Sequence, residues 1–413
     1  MCDTLLAKGI ISELGNLIFA KNSDREPLEA HQLLHIPRKT HSAKTLNCTY
    51  LQIPQTSTTW EAWLSKPFQM WGAEMGVNEW GLAIGNEAVF TQVKFDKSKQ
   101  GLTGMDLLRL ALERSKTALA AKDLILELLE RHGQNACGGY GNKNFYYHNS
   151  FLIADQKDAL LLETAGKSWA WKRVKDYASI SNCLSLEDDF EEWKITEEDK
   201  YLSSIFNSKK GFKSRFSDFL YTYFSKAKDR KSFTEKSLIS QKGQIGPKQM
   251  MEILKSHHPT GEDFHPKKAS AASVCMHATG LTNPSETTGS MVAEIRNNQP
   301  HTIWFCPSPH PCQSLYIPFY FGTETNFLKN PSYLEDDSLW WQAKKLHAIV
   351  ERNWKLLFPR LKMDLNQIQE SWLKKDGDLI KSWANPEELN KFSLDCYSFY
   401  QTWINERLQE FSK

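Results

Sequence analysis

Met1-Cys2-Asp3-Thr4-Leu5-Leu6-Ala7, followed by Leu17-Ile18-Phe19-Ala20-Lys21-Asn22-Ser23-Asp24-Arg25, opens the chain. Asp3 to Ala7 and Leu17 to Ala20 are short apolar runs. The segment between them holds Gly9 and the pair Gly15-Asn16, a turn signal, so the two runs read as a strand hairpin. Lys21 to Arg25 directly follows the second run. Charged groups at a strand end point into loops, where sites are usually built.

Cys2 is the residue that gives this hairpin a chemistry. Removal of Met1 would leave a thiol and an α-amine on one residue. An α-amine has a pKa of about 7.7–8.0, so part of it is unprotonated at neutral pH and can act as base for its own thiol. No separate catalytic histidine is then needed. In this reading Asp24 orients the amine, and Lys21 or Arg25 favours the thiolate through nearby positive charge. The plain alternative is a small apolar residue starting a strand, with an exposed ion pair after the next one.

Gln32 to Ile36, Thr49 to Ile53 and Leu82 to Ile84 read as further strands. The period then changes. Thr103 and Asp106 form a capping-box-like pair, and Met105, Leu108 and Leu112 follow at helical spacing. Ala121, Leu124, Ile125, Leu128 and Leu129 make a second amphipathic stripe, with Gly133 where a helix-ending glycine belongs. Strand signals return at Phe151 to Ala154, Leu160 to Glu163, Trp169 to Val174 and Ala178 to Ser181, with a turn at Asp155 to Asp158. Residues 186–258 read as a charged helical insertion, in which Pro247 opens a helix. Strands are expected again at Ser273 to Met276, Ser290 to Ile295, Thr302 to Phe305 and Leu315 to Pro318. This makes residues 1–330 one core and 331–413 a helical extension packed on it, anchored by Trp340, Trp341, Trp354, Trp372, Trp383 and Trp403. Strands in blocks, not alternating singly with helices, argue against a doubly wound parallel sheet. They fit two packed, mainly antiparallel sheets with helices outside, an α+β fold.

The 413 residues carry 51 basic and 49 acidic side chains, a net charge of +2, which argues against a dedicated nucleic-acid binder. The basic run Lys226 to Lys231 contains Asp229 and reads as a solvated helix end or loop. Charges at Asp3, Lys8 and Glu13 interrupt any signal-peptide core, and no apolar stretch is long enough for a membrane span. The expectation is a cytoplasmic protein with its eight cysteines reduced. Cys306 and Cys312 flank a proline-rich segment, and Cys275 has only His277 nearby. These spacings match no four-ligand zinc framework, so neither a metal nor another cofactor is expected.

Two further stretches bear on the site. In the glycine-rich segment from Trp71 to Glu87, Asn86 offers an amide donor at a strand end, suited to an oxyanion hole. Asn182, in Ile180-Ser181-Asn182-Cys183-Leu184-Ser185, offers a second; an asparagine simply ending a strand is the alternative. Glu74 and Glu87 are acids that can receive a substrate ammonium, and Arg25 is a third substrate-binding candidate. Gly138 to Gly141 reads as a flexible loop.

Taken jointly, Met1 to Thr4, Lys21 to Arg25, Trp71 to Glu79 and Ile84-Gly85-Asn86-Glu87-Ala88-Val89 resemble the secernin family. So do Tyr147 to Asp155, Leu162 to Gly166, Ile180 to Ser185, Val274-Cys275-Met276-His277 and Thr287 to Val292. The likeness runs from residue 1 to about residue 320. Secernins are similar to a broader group of thiol dipeptidases, which share a fold with penicillin V acylases and bile-salt hydrolases. The resemblance implies the four-layer αββα sandwich of N-terminal-nucleophile hydrolases, with Cys2 as nucleophile, Asp24 as orienting acid, and Asn182 and, more loosely, Asn86 as oxyanion residues. It implies cleavage of small amides, dipeptides first, with no cofactor. An N-acyl-amide acylase and a non-catalytic interaction protein are the rivals, and homo-oligomerisation is left open. One departure is Lys21. The acylase and dipeptidase relatives usually have Arg there, whose planar fork braces several partners where Lys holds a point charge.

Overall fold

A computed structural model describes residues 1–199, 211–280, 283–322 and 325–411. The opening hairpin forms: β1 (Cys2–Ala7) pairs antiparallel with β2 (Leu17–Arg25). β3 (His31–Ile36) follows, then the short strands β4 (Lys39–Thr40), β5 (Thr45–Asn47), β6 (Gln52–Pro54) and β7 (Thr58–Thr59). β8 (Ala62–Pro67), β9 (Met75–Asn78) and β10 (Ala83–Val89) precede two helices, Gly104–Arg114 and Ala118–His132. Then come β11 (His148–Ala154), β12 (Ala159–Ala165), β13 (Ser168–Arg173), β14 (Tyr177–Ser181) and β15 (Glu192–Lys194). After the helices Ala227–Ser240 and Pro247–Leu254 the last strands are β16 (Glu286–Ile295), β17 (Thr302–Cys306) and β18 (Ile317–Phe319). Part of the expected helical insertion, residues 200–210, lies outside the described residues.

The strands build two main sheets. One has the order β14-β1-β2-β16-β17-β18, the other β15-β13-β12-β11-β10-β9-β8-β3, and every pairing within them is antiparallel. The strands β8 to β12 of the larger sheet are buried on both faces, and the two-residue period decides which side chain goes where. Trp63, Leu152, Ala154 and Leu161 point toward the other sheet and join its core. Their neighbours Ala62, Leu64, Phe151, Ile153, Leu160 and Leu162 point the other way, onto Leu107, Leu108, Ile125 and Leu128 of the two helices. On the far side, Ala227–Ser240 lies against β14 and β1, and Pro247–Leu254 against β2 and β16. The result is a four-layer αββα arrangement.

Local chemistry sets the helix ends. Thr103 and Asp106 form the reciprocal capping box, with Asp106 N–H to Thr103 Oγ1 at 2.9 Å and Thr103 N–H to Asp106 Oδ2 at 3.0 Å. The helices Leu339–Arg352, Trp354–Lys381 and Pro386–Phe411 add Leu346, Trp354, Leu361, Trp372, Tyr400 and Trp403 to the core of the smaller sheet. Polar ties fasten them: Trp340 Nε1 donates to Thr288 O at 2.9 Å, and Tyr320 Oη to Asp376 Oδ1 at 2.7 Å. Among the described residues no helix is long and apolar enough to cross a membrane.

Four expectations are corrected. β2 does not stop at Ala20 but runs through Arg25, because β1 and β16 flank it and satisfy the backbone of its polar half. Ser273 to Met276 is irregular, not a strand. Thr49 to Ile53 contributes only its end, to the small β5–β6 pair. Trp383 is 63% exposed and anchors nothing.

Gly85 faces the opposing sheet. A Cβ there would stand 2.8 Å from Thr4 Oγ1 and 2.9 Å from Lys21 Cδ, both side chains of the opposing sheet. Gly85→Ala is therefore expected to destabilise the fold by about 1–3 kcal/mol, as overpacking of a filled interior does. Chemical denaturation of parent and variant tests this; an unchanged midpoint would mean that the sheets separate freely at this point.

Candidate active site

β1 is an interior strand, flanked by β2 and β14. Cys2 is opposite Ser23, and Asp3 is opposite both Asn22 and Ser181. This register carries the next residue of each neighbour, Asp24 on one side and Asn182 on the other, to the start of the chain. Cys2 N–H donates to Asn182 Oδ1 at 2.7 Å. The Met1 ammonium donates to Asp24 O at 2.7 Å, and Asp24 N–H returns a bond to Met1 O at 2.7 Å. Residue 1 thus continues the strand pairing and caps the site.

The Asp24 carboxylate accepts from Thr287 Oγ1 at 2.6 Å through Oδ1, while its buried Oδ2 has no hydrogen-bond partner. Burial pushes its pKa up to about 7, against the pull of the terminal ammonium. The Cys2 side chain is buried, with Sγ 3.8 Å from Glu74 Oε2. Burial pushes this thiol up to about 12; Lys21 opposes that, and Glu74 and Glu87 add to it.

Lys21 is fully buried between the sheets. Its Nζ donates to Asn86 O at 2.8 Å and meets Glu87 Oε2 at 3.1 Å. Burial opposes its charge, but Cys2, Glu87 and Glu74 outweigh that and hold its pKa above the ordinary lysine value. Arg25 closes the site on the other side. Its guanidinium pairs with Glu29 at 2.5 Å and Glu74 at 3.1 Å, and also donates to Gly138 O and to Tyr147 Oη at 3.3 Å. Gly138 to Gly141, read as a flexible loop, is therefore tied to the site, with Gly141 N–H also donating to Glu26 at 3.0 Å.

The fold brings Cys2, Lys21, Asp24, Arg25, Glu74 and Asn182 together. Two expected residues stand elsewhere. Asn86 is not at a strand end but inside β10, and its side chain turns to the helix side, donating to Asn149 Oδ1 at 2.9 Å. Glu87, the next residue, turns inward, where it is engaged by Lys21 and the Thr4 hydroxyl. The alternation of side chains along a strand sends these two neighbours to opposite faces.

The sequence reading missed Arg230. Lys228 and Asp229 of its run are exposed as expected, but Arg230 is fully buried. Its Nε reaches Asp3 Oδ2 at 2.9 Å, and one Nη reaches Asn182 Oδ1 at 2.7 Å and Ser181 Oγ at 3.0 Å. The available signal was helical spacing: Ala227, Arg230, Thr234 and Leu238 form the buried stripe of their helix. His148 bonds Thr91 at 2.9 Å, and burial pushes its pKa down to about 3.

No protein-family model matches the chain. Among solved structures it is similar to penicillin V acylase from Agrobacterium tumefaciens, at 13% identity over 79% of this chain and 87% of that one, TM-score 0.43. It is also similar to a mutant conjugated bile acid hydrolase from Clostridium perfringens, at 11% identity over 81% and 97%, TM-score 0.47. A Caenorhabditis elegans ortholog of N-acylethanolamine-hydrolyzing acid amidase matches at 12% over 63% and 88%, TM-score 0.37.

Asp24 gives the site a pH signature. Unfolded, an aspartate titrates at about 3.9; folded, Asp24 titrates at about 7. Between these values the native state holds a proton that the unfolded state has released, so parent stability falls as pH rises through that window. Asn cannot ionise. In chains retaining Met1, Asp24→Asn should therefore gain on the parent as pH rises from 4 to about 7 and stay level above. Denaturation curves across the window measure the difference; a pH-independent gap would mean that Asp24 does not titrate there.

Proposed function

We propose that the chain is a cysteine-dependent hydrolase of small amides, with Cys2 as nucleophile once Met1 is removed and dipeptides as the first substrate class. The observation that carries this reading is the convergence of Cys2, Asp24 and Asn182 at the start of β1, held by hydrogen bonds of 2.7 Å. Removing Met1 converts the Cys2 amide into an amine. That amine remains beside Asn182 Oδ1, and the partnerless Asp24 Oδ2 is an acceptor suited to its additional N–H groups. It also frees the Asp24 N–H and C=O that residue 1 occupied.

The α-amine takes the thiol proton, and Sγ attacks the amide carbon. Asn182 holds the oxyanion through Nδ2, which in the capped form donates to Ala88 O at 2.9 Å. The ammonium returns its proton to the leaving amine, the C–N bond breaks, and a thioester remains. Water, deprotonated by the same amine, attacks the thioester and releases the acid and the thiol. Lys21 supplies the positive field that counters burial of the thiolate.

The substrate class rests on Arg25 and Glu74. Glu74 lies 3.8 Å from the sulfur and pairs with Arg25 at 3.1 Å, and a dipeptide carries an ammonium and a carboxylate that can exchange into such a pair. An acylase taking apolar acyl groups would place apolar side chains there instead. The non-catalytic reading has one specific support: with Met1 in place the thiol is buried and held near a pKa of about 12, a state unsuited to attack.

Four proteins separate these readings: the processed chain, a Met1-retaining chain, Cys2→Ala and Cys2→Ser, each with its N-terminus verified by mass spectrometry. On a dipeptide and N-acyl-amide panel, the processed chain is expected to turn over dipeptides. Cys2→Ala should be inactive. Cys2→Ser and the Met1-retaining form should each lose at least about 100-fold, the scale of a lost general base. Full activity with Met1 retained would overturn the mechanism. Turnover confined to N-acyl amides would replace the dipeptide reading with the acylase.

A further inference from the structure

Away from Cys2, the fold assembles four donors that the sequence keeps far apart. His257 follows the helix Pro247–Leu254. Cys275 and His277 lie in the irregular segment before β16, and Cys312 sits in the turn Pro311–Gln313. One ligand atom from each lies within 4.8 Å of every other. His277 Nε2 is 3.3 Å from Cys312 Sγ and 3.9 Å from Cys275 Sγ. Sequence spacing finds ligands on one hairpin or loop, whereas these four come from three separate segments.

The surroundings are those of a built site. Cys275, His277 and Cys312 are buried, and the Nε2 of His257 is buried without a hydrogen-bond partner. The other nitrogen of His277, Nδ1, contacts Glu351 Oε1 at 3.0 Å. A carboxylate on the far nitrogen fixes the tautomer and turns Nε2 toward a ligand, as in metal centres. Ring contacts hold both histidines: His257 stacks on Phe264 at 3.6 Å, and His277 on His310 at 4.1 Å. A cavity of about 900 Å³, lined by His257, Cys312, Lys255, Glu262, Phe264 and Trp354, gives an ion a path in.

We infer that Cys275, Cys312, His257 and His277 bind one zinc ion. Two thiolates and two imidazoles are a preferred tetrahedral donor set for zinc. Bonds of about 2.3 Å to sulfur and 2.0–2.1 Å to nitrogen place sulfur and nitrogen ligands about 3.6 Å apart, between the two distances seen here. Binding releases the two thiol protons, and the two thiolates cancel the ion's charge, leaving a neutral buried unit. The site also reaches the candidate catalytic centre. Met276, between two ligands, donates its N–H to Thr287 Oγ1 at 2.9 Å and accepts from Thr287 N at 2.9 Å. The same Thr287 hydroxyl donates to Asp24 at 2.6 Å. The ion thereby positions the loop that holds the orienting acid, and is itself no part of the proposed chemistry.

The full chain, purified under reducing conditions with zinc supplied and then dialysed, is assayed for bound metal and intact mass. The parent and a Cys48→Ser control should carry about one zinc per chain; Cys275→Ser and Cys312→Ser should carry less than about a tenth of that. Should those variants fail to fold, the parent reconstituted with cobalt(II) decides. Tetrahedral d–d bands with a thiolate charge-transfer band support the site, and an octahedral spectrum overturns it. A zinc-free parent, a Cys275–Cys312 disulfide in the reduced preparation, or full zinc in either variant also overturns it.

Discussion

The fully buried ion pair between Asp3 and Arg230 governs how the chain begins. Losing one member of such a pair strands the other charge in the interior, at a cost of about 3–5 kcal/mol. The pair is therefore satisfied only when the helix Ala227–Ser240 packs flat on β1 and β14. Arg230 also bonds Ser181 and Asn182 at the end of β14. One guanidinium thus ties three segments together at residues 2 and 3. A chain terminus would otherwise fray; here it enters an interior strand, and Cys2 has a defined position.

The space between the sheets is divided in two. Toward one end Leu5, Phe19, Trp63 and Leu152 give ordinary apolar packing. Toward the chain start the same layer holds Lys21 and Thr4, both bonded to the Glu87 carboxylate. Buried charges need partners of good geometry, so this end of the interior is ordered by hydrogen bonds more than by shape. The absence of a Cβ at Gly85 lets the sheets approach closely enough for Lys21 to reach Asn86 O on the opposite strand. The cost in solvation is what raises the thiol of the capped chain, and the proposed removal of Met1 acts on the same group by adding a charged amine beside it.

Much of the architecture was legible beforehand. Period-two and helical patterns located the strand blocks and the two helices from Gly104 to His132, and turn chemistry located the first hairpin. Errors came where tertiary partners overrode local preference. Lys21 to Arg25 reads as a polar turn by composition, yet β1 and β16 on either side convert it into a central strand. Ser273 to Met276 reads as a strand but forms no ladder; its backbone makes isolated bonds, such as Cys275 N–H to Ser256 O and Thr287 N–H to Met276 O.

For the site, the sequence by itself determined what was local. It put a thiol at position 2, carboxylate, amide and cationic groups beside recognisable strands, and two cysteines and two histidines at spacings that match no single motif. Only the tertiary structure decided which of these meet. Register across β1, β2 and β14 brought Asp24 and Asn182 to Cys2, and strand alternation turned Asn86 away and locked Glu87 to Lys21. Packing of one helix delivered Arg230, and three separate segments converged to gather Cys275, Cys312, His257 and His277. The physical reason is range. Periodicity and turn chemistry act over a few residues. The face a side chain presents, and the partner it finds there, depend on strand register and layer packing between segments hundreds of residues apart.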